Sequence, residues 1–113
     1  MHELSIAQNI VELSTEESKK QNMHNISEIY IEIGSMSGVI LEALEFAMEE
    51  AVKGSVLESA KINYLNIQAK AVCSKCKNHF DVDDFFAVCP KCGSFETDIN
   101  SGKDLKIKKI KFV

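Results

Sequence analysis

Between Leu4 and about Met23, apolar residues recur at three- and four-residue steps (Leu4, Ile6, Ala7, Ile10, Val11, Leu13), while Glu12, Glu16, Glu17, Lys19 and Lys20 fill the opposite face. That period predicts an amphipathic helix beginning almost at the first residue. Past Asn25 the period changes to two: Ile29, Ile31 and Ile33 alternate with Glu28, Tyr30 and Glu32 until Gly34, which predicts a strand with one face on a core. Residues 34–38, all Gly, Ser and one Met, read as a loop. Leu41, Leu44, Phe46, Ala47, Met48, Ala51 and Val52 then return to helical spacing, and Lys53-Gly54 stops the helix.

Residues 60–68 alternate partially and are rich in Ile, Tyr, Leu and Asn, a second strand leading towards Cys73. Near the end, Leu105, Ile107, Ile110 and Phe112 sit among Lys106, Lys108, Lys109 and Lys111. The apolar phase shifts at Lys108-Lys109, which predicts a third strand carrying a bulge. Lysines on such a strand read as the solvated face of a sheet edge, where they also discourage edge pairing. The expected fold class is α+β: two helices packed on a three-stranded sheet, with an insertion before the last strand. The boundaries follow as 1–70 plus 103–113 for the α/β domain and 71–102 for the insertion.

The insertion holds every cysteine of the chain, Cys73/Cys76 and Cys89/Cys92, two Cys-x-x-Cys pairs separated by twelve residues. Each such turn aims two sulfurs at one point, and two turns on adjacent hairpins supply the four soft donors of a tetrahedral structural zinc. A disulfide reading needs an oxidising compartment. The opening MHELSIAQNI, with no positively charged segment and no long apolar run, predicts a cytoplasmic chain instead. Nothing approaches the roughly 20 apolar residues of a membrane span.

With 113 residues the chain can bury one modest core, and a satellite too small to fold alone would be held by its metal. Net charge is -4 and every cation is lysine. Without an arginine fork or an overall basic field, a zinc ribbon that binds nucleic acid is disfavoured. A zinc ribbon acting as an adaptor for nucleic acid or protein through residues 103–111 remains the alternative function. A zinc hydrolase is excluded more firmly, because four thiolates leave no open position for water.

Acid–base constellations are scarce. Glu45, Glu49, Glu50 and Glu58, like Asp81, Asp83 and Asp84 in the insertion, sit where acids solvate a surface, so no catalytic residue is assigned and the chain is expected not to be an enzyme. His79, three residues past Cys76, finds the tetrahedron already full, and His24 lies in a polar turn. His2 differs. Beside the first residue it can offer imidazole and its own amide, with the amine of Met1 and the amide of Glu3, a planar nitrogen set suited to Ni(II) or Cu(II). Taken alone, a frayed end with a chance histidine is the simpler reading.

The whole length resembles the HypA/HybF family of hydrogenase nickel-incorporation proteins, through MHELSIAQNIV, IEIGSMSGVILEALEFAMEEAVKGS, the two Cys pairs ending in CPKCGS, and LKIKKIKF. The resemblance implies a nickel metallochaperone that binds Ni2+ at Met1, His2 and Glu3 and keeps a structural Zn2+ on Cys73, Cys76, Cys89 and Cys92. It implies work with a partner GTPase on the [NiFe]-hydrogenase large subunit, and in some members supply of urease through its accessory proteins. Some members recruit a further donor from the start of the second helix or from a zinc-domain residue; here Ile40 and no obvious histidine stands there, so only a backbone amide could serve. No nucleic acid or membrane partner is implied, and monomer and homodimer stay open.

Overall fold

The computed structural model describes residues 3–83 and 87–113. Met1 and His2, two of the expected nickel donors, lie outside the described residues, as does Asp84. The elements run α1 (Glu3–Lys20), β1 (Ile26–Gly34), α2 (Leu41–Ala51), β2 (Lys61–Ile67), β3 (Lys70–Cys73), β4 (His79–Asp81), β5 (Thr97–Ser101) and β6 (Leu105–Phe112). They form two three-stranded sheets, ordered β2-β1-β6 and β4-β3-β5. The chain divides into two compact units, one of Met1–Ile31, Val39–Tyr64 and Ile107–Val113, the other of Glu32–Gly38 and Leu65–Lys106.

In the first unit α1 buries Ala7, Ile10, Ser14 and Ser18. Those four follow the helical period, but the stripe is rotated from the one the apolar residues suggest: Leu4 and Leu13 are exposed. The helix ends where Asn22 takes a left-handed φ of 55°, a conformation asparagine tolerates better than most residues, and the Met23 N–H donates to the Ser18 carbonyl at 2.9 Å.

Ile26, Ile29 and Ile31 of β1, Leu44, Ala47 and Met48 of α2, and Leu57 are all buried, each large side chain contributing roughly 1.5–3 kcal/mol by leaving water. Phe46, expected on the same face of α2, is 72% exposed. Two residues from Leu44 on a helix means about 200° of rotation, so burying Leu44 turns Phe46 outward. The Val113 N–H bonds to Asn25 and the Ser27 hydroxyl to the Lys111 carbonyl, so β6 runs antiparallel to β1. Ile26 bonds to Val56 and Asn63 to Ile29, so β2 runs in the same direction as β1, with α2 as the crossover.

Among its described residues the second unit carries a small apolar cluster. Ala69, Ala71 and Val82 are buried, with Met36, Phe80, Ala87 and Ile99 packed against them. β3 pairs antiparallel with β4 (Ala71 opposite Phe80) and with β5 (Ala71 opposite Ile99), with a register irregularity at Lys70/Ala71. Residues 34–36 fasten the points where the chain enters and leaves this sheet. The Gly34 and Met36 N–H groups donate to Asp104 and Gly102 at 2.9 Å, Ser35 donates to Ile67 at 2.8 Å, and the Ser35 hydroxyl accepts the Ala69 N–H at 2.8 Å. Among the described residues no helix is long and apolar enough to cross a membrane.

Candidate metal centre

Two turns of the same construction face each other in the second unit. In the first, the Lys77 N–H donates to the Cys73 carbonyl at 2.9 Å and the Cys73 N–H to the Asn78 carbonyl at 2.9 Å. In the second, Gly93 donates to Cys89 at 2.8 Å and Cys89 to Ser94 at 3.0 Å. The residue after each pair takes a left-handed conformation, Lys77 with φ 62° and Gly93 with φ 75°. This closes each turn so that both its sulfurs point to one side.

The four sulfurs lie within 4.8 Å of one another. Cys73 and Cys92 approach to 3.6 Å, and Cys76 and Cys89 to 3.5 Å. A tetrahedron with Zn–S bonds of about 2.3 Å needs sulfurs about 3.8 Å apart, close to what is found, whereas a disulfide would bring them to about 2.05 Å. Cys73 and Cys89 are buried, Cys76 and Cys92 exposed. The Asn78 side-chain amide donates to the Cys89 sulfur at 3.8 Å and the Cys76 N–H to the Cys73 sulfur at 3.5 Å, so backbone and side chain both supply donors suited to thiolate.

Electrostatics at the cluster point the same way. The Cys76 N–H pulls the Cys73 thiol below its ordinary value against burial, assisted by the Lys75 N–H and the neighbouring thiols. Burial pushes Cys89 up, but the Cys92 and Lys91 N–H groups and the thiols of Cys76 and Cys92 outweigh it and bring it to about 6. Cys92 goes the other way, to about 11: the Ser94 N–H favours its thiolate, but the crowding sulfurs and burial oppose it. Four sulfurs this close cannot all ionise by themselves, and a dication is what would let them.

The other sequence candidates are dispersed. His79 is exposed on β4 opposite Val72, and His24 is exposed. Glu45, Glu49, Glu50, Glu58, Asp81 and Asp83 are exposed, Glu50 paired with Lys53 at 3.1 Å and Asp81 with Lys70 at 3.8 Å. Glu3 is placed with more purpose. Its carboxylate accepts the Ile40 N–H at 3.3 Å, at the start of α2 where no side chain of α2 itself provides a cap. An anion at a helix N-terminus satisfies an orphan donor and favours the dipole. The residue after His2 is thereby fixed to α2, and the Ile40 amide, the one group there that could have served as a further donor, is already engaged. Spacing gave no signal for this contact, since the partners are separated by 37 positions.

Fold and cluster together define a small α+β protein with an inserted four-cysteine ribbon, a class whose closed metal site builds structure. The family model described as "Hydrogenase/urease nickel incorporation, metallochaperone, hypA" matches residues 1–112. A hydrogenase maturation factor HypA of Parabacteroides distasonis is 44% identical over 110 residues, covering 97% of this chain and 96% of that protein. One from Francisella philomiragia is 38% identical over 99% of both chains. Among solved structures, the solution structure of the Ni metallochaperone HypA from Helicobacter pylori superposes with a TM-score of 0.75 at 24% identity, over 100% of this chain and 98% of that one, a likeness of fold. The chain belongs to the HypA family of nickel metallochaperones.

Proposed function

We propose that this chain carries Ni2+ at Met1, His2 and Glu3 while Cys73, Cys76, Cys89 and Cys92 hold a resident Zn2+. The observation that supports the division is the contrast between the two sites. The four sulfurs are locked by paired turns, whereas the nickel donors fall at the first residues of the sequence, where Glu3 opens α1 and accepts the Ile40 N–H. A cargo site must release what it binds, and donors on a chain end can be displaced one at a time by a competing ligand. The residues 1–70 plus 103–113 are accordingly the nickel domain and 71–102 the zinc ribbon.

The further steps in this reading are delivery of nickel to the large subunit of a [NiFe]-hydrogenase with a nickel-handling GTPase, in the cytoplasm, with no catalysis by the chain itself. The family description, which joins hydrogenase and urease, supports urease as a second destination. Imidazole and amide donors must lose protons to bind, and imidazole charges near about 6.5, so nickel affinity falls in mild acid.

Nickel titration of the zinc-loaded protein, of His2→Ala and of a version extended before Met1 tests the placement. The expected result is loss of the planar-nickel absorption and at least about a tenfold weaker affinity in both altered proteins. Equal binding by all three would refute the terminal site.

A further inference from the structure

Along β6 lies a cleft of about 600 Å3, with Leu13 of α1 on one side and Ile107, Lys108, Lys109, Ile110 and Phe112 on the other. Strand side chains alternate between faces, and here exposure follows Ile107, Ile110 and Phe112 on one phase and Lys108 and Lys109 on the other. A cleft touched by both phases must run along the backbone edge of the strand. That edge is unoccupied by any strand among the described residues, since the sheet order β2-β1-β6 leaves β6 with β1 on one side only. Leu13 is 46% exposed, an apolar wall facing water.

We infer that this cleft is a docking strip for an extended segment of a protein partner in which acidic and apolar residues alternate, added to β6 as a further strand. The backbone edge supplies main-chain hydrogen bonds. Leu13, Ile110 and Phe112 take the apolar side chains, and Lys108 and Lys109, which form no ion pair among the described residues, take the carboxylates. Lys106 and Lys111 already pair with Glu32 at 3.7 Å and Glu28 at 3.4 Å, so the two unpaired lysines are those that line the cleft.

Charge selects the occupant. The α1 wall carries Glu16 and Glu17 beside Lys20, so the cleft is mixed on the helix side and basic on the strand side. An alternating strand presents carboxylates to one wall only, whereas a polyanion such as nucleic acid would meet the helix glutamates and a chain of net charge -4. A second copy of this chain pairing through β6 would set lysines against lysines, which opposes association. The inference stands on the β6 edge and is independent of where nickel binds.

The test uses isotope-labelled, zinc-loaded full chain and a capped octapeptide of alternating Val and Glu as probe, followed by amide chemical shifts and hydrogen exchange. Shifts are expected to concentrate in residues 107–112 and the second half of α1, with β6 amides exchanging about tenfold more slowly. The double variant Lys108→Glu/Lys109→Glu and, separately, Leu13→Asp should each weaken binding about tenfold, with spectra otherwise those of the folded protein. Absence of β6 shifts, equal binding of a Val/Lys peptide, unchanged affinity in both variants, or β6 shifts produced by oligothymidylate while the Val/Glu peptide is silent would each overturn the inference.

Discussion

Tyr64 of β2 sits beside α2, where burial, then the negative charges of Glu45 and Glu49, push its phenol from 10.0 up to about 12. The neutral phenol is thus favoured in the folded chain more than in the unfolded one. Its contribution to stability is complete below pH 10.0 and is lost as pH rises through about 12. An ultraviolet titration of the folded protein should show a tyrosinate step near 12, and Glu45→Gln/Glu49→Gln should move that step down towards 10.0. A Tyr64 step already at 10.0 in the unaltered protein would contradict the placement. Individual residues were the least legible part of the sequence. Ser14 and Ser18 are buried, and their hydroxyls meet no partner among the described residues. Their burial follows from angular position on α1 and not from polarity, which hydropathy alone misassigns. Phe46 fails in the opposite sense: apolar in type, it lies on the wrong side of the helix to join Leu44.

Gly34 closes β1 where another backbone runs against it. A Cβ there would stand 2.1 Å from the Gly102 carbonyl oxygen, a group that cannot rotate aside as a side-chain tip could. Gly34→Ala should therefore lower stability by about 1–3 kcal/mol, the usual range for overpacking. That is read as a drop of several degrees in thermal melting, and an unchanged melting temperature would show the contact to be looser than the structure has it. The longer elements were legible because their periods persist: α1, β1, α2, β2 and β6 fall within a few residues of the spans that spacing suggests. The shift of phase at Lys108-Lys109 also reappears as two successive exposed residues in β6. The strands β3, β4 and β5 are three to five residues long, too short to establish alternation. Their pairing depends on turns at the cysteine pairs and on contacts such as Gln68 to the Val82 carbonyl at 2.9 Å, which sequence does not display.

Across the whole chain, the four-cysteine cluster and the nickel site proposed at Met1, His2 and Glu3 belong to two kinds of local structure. Among the described residues the ribbon's buried cluster is Ala69, Ala71 and Val82, with Met36, Phe80, Ala87 and Ile99 packed against it, and a metal on the four cysteines adds to what such a cluster can hold. The cysteine cluster was readable from spacing alone, since four soft donors in two turns satisfy one coordination geometry. The nickel donors proposed at Met1, His2 and Glu3 rest on resemblance over the full length, because a lone histidine has no spacing of its own. The role of Glu3 in fastening that segment to Ile40 needed the fold.

X-ray absorption at the nickel and zinc edges of one doubly loaded sample addresses the division of labour most directly. The account predicts nickel surrounded by nitrogen and oxygen donors alone in a planar arrangement, and zinc by four sulfurs at about 2.3 Å whether or not nickel is present. Sulfur in the nickel shell, or loss of sulfur from zinc when nickel is added, would contradict it.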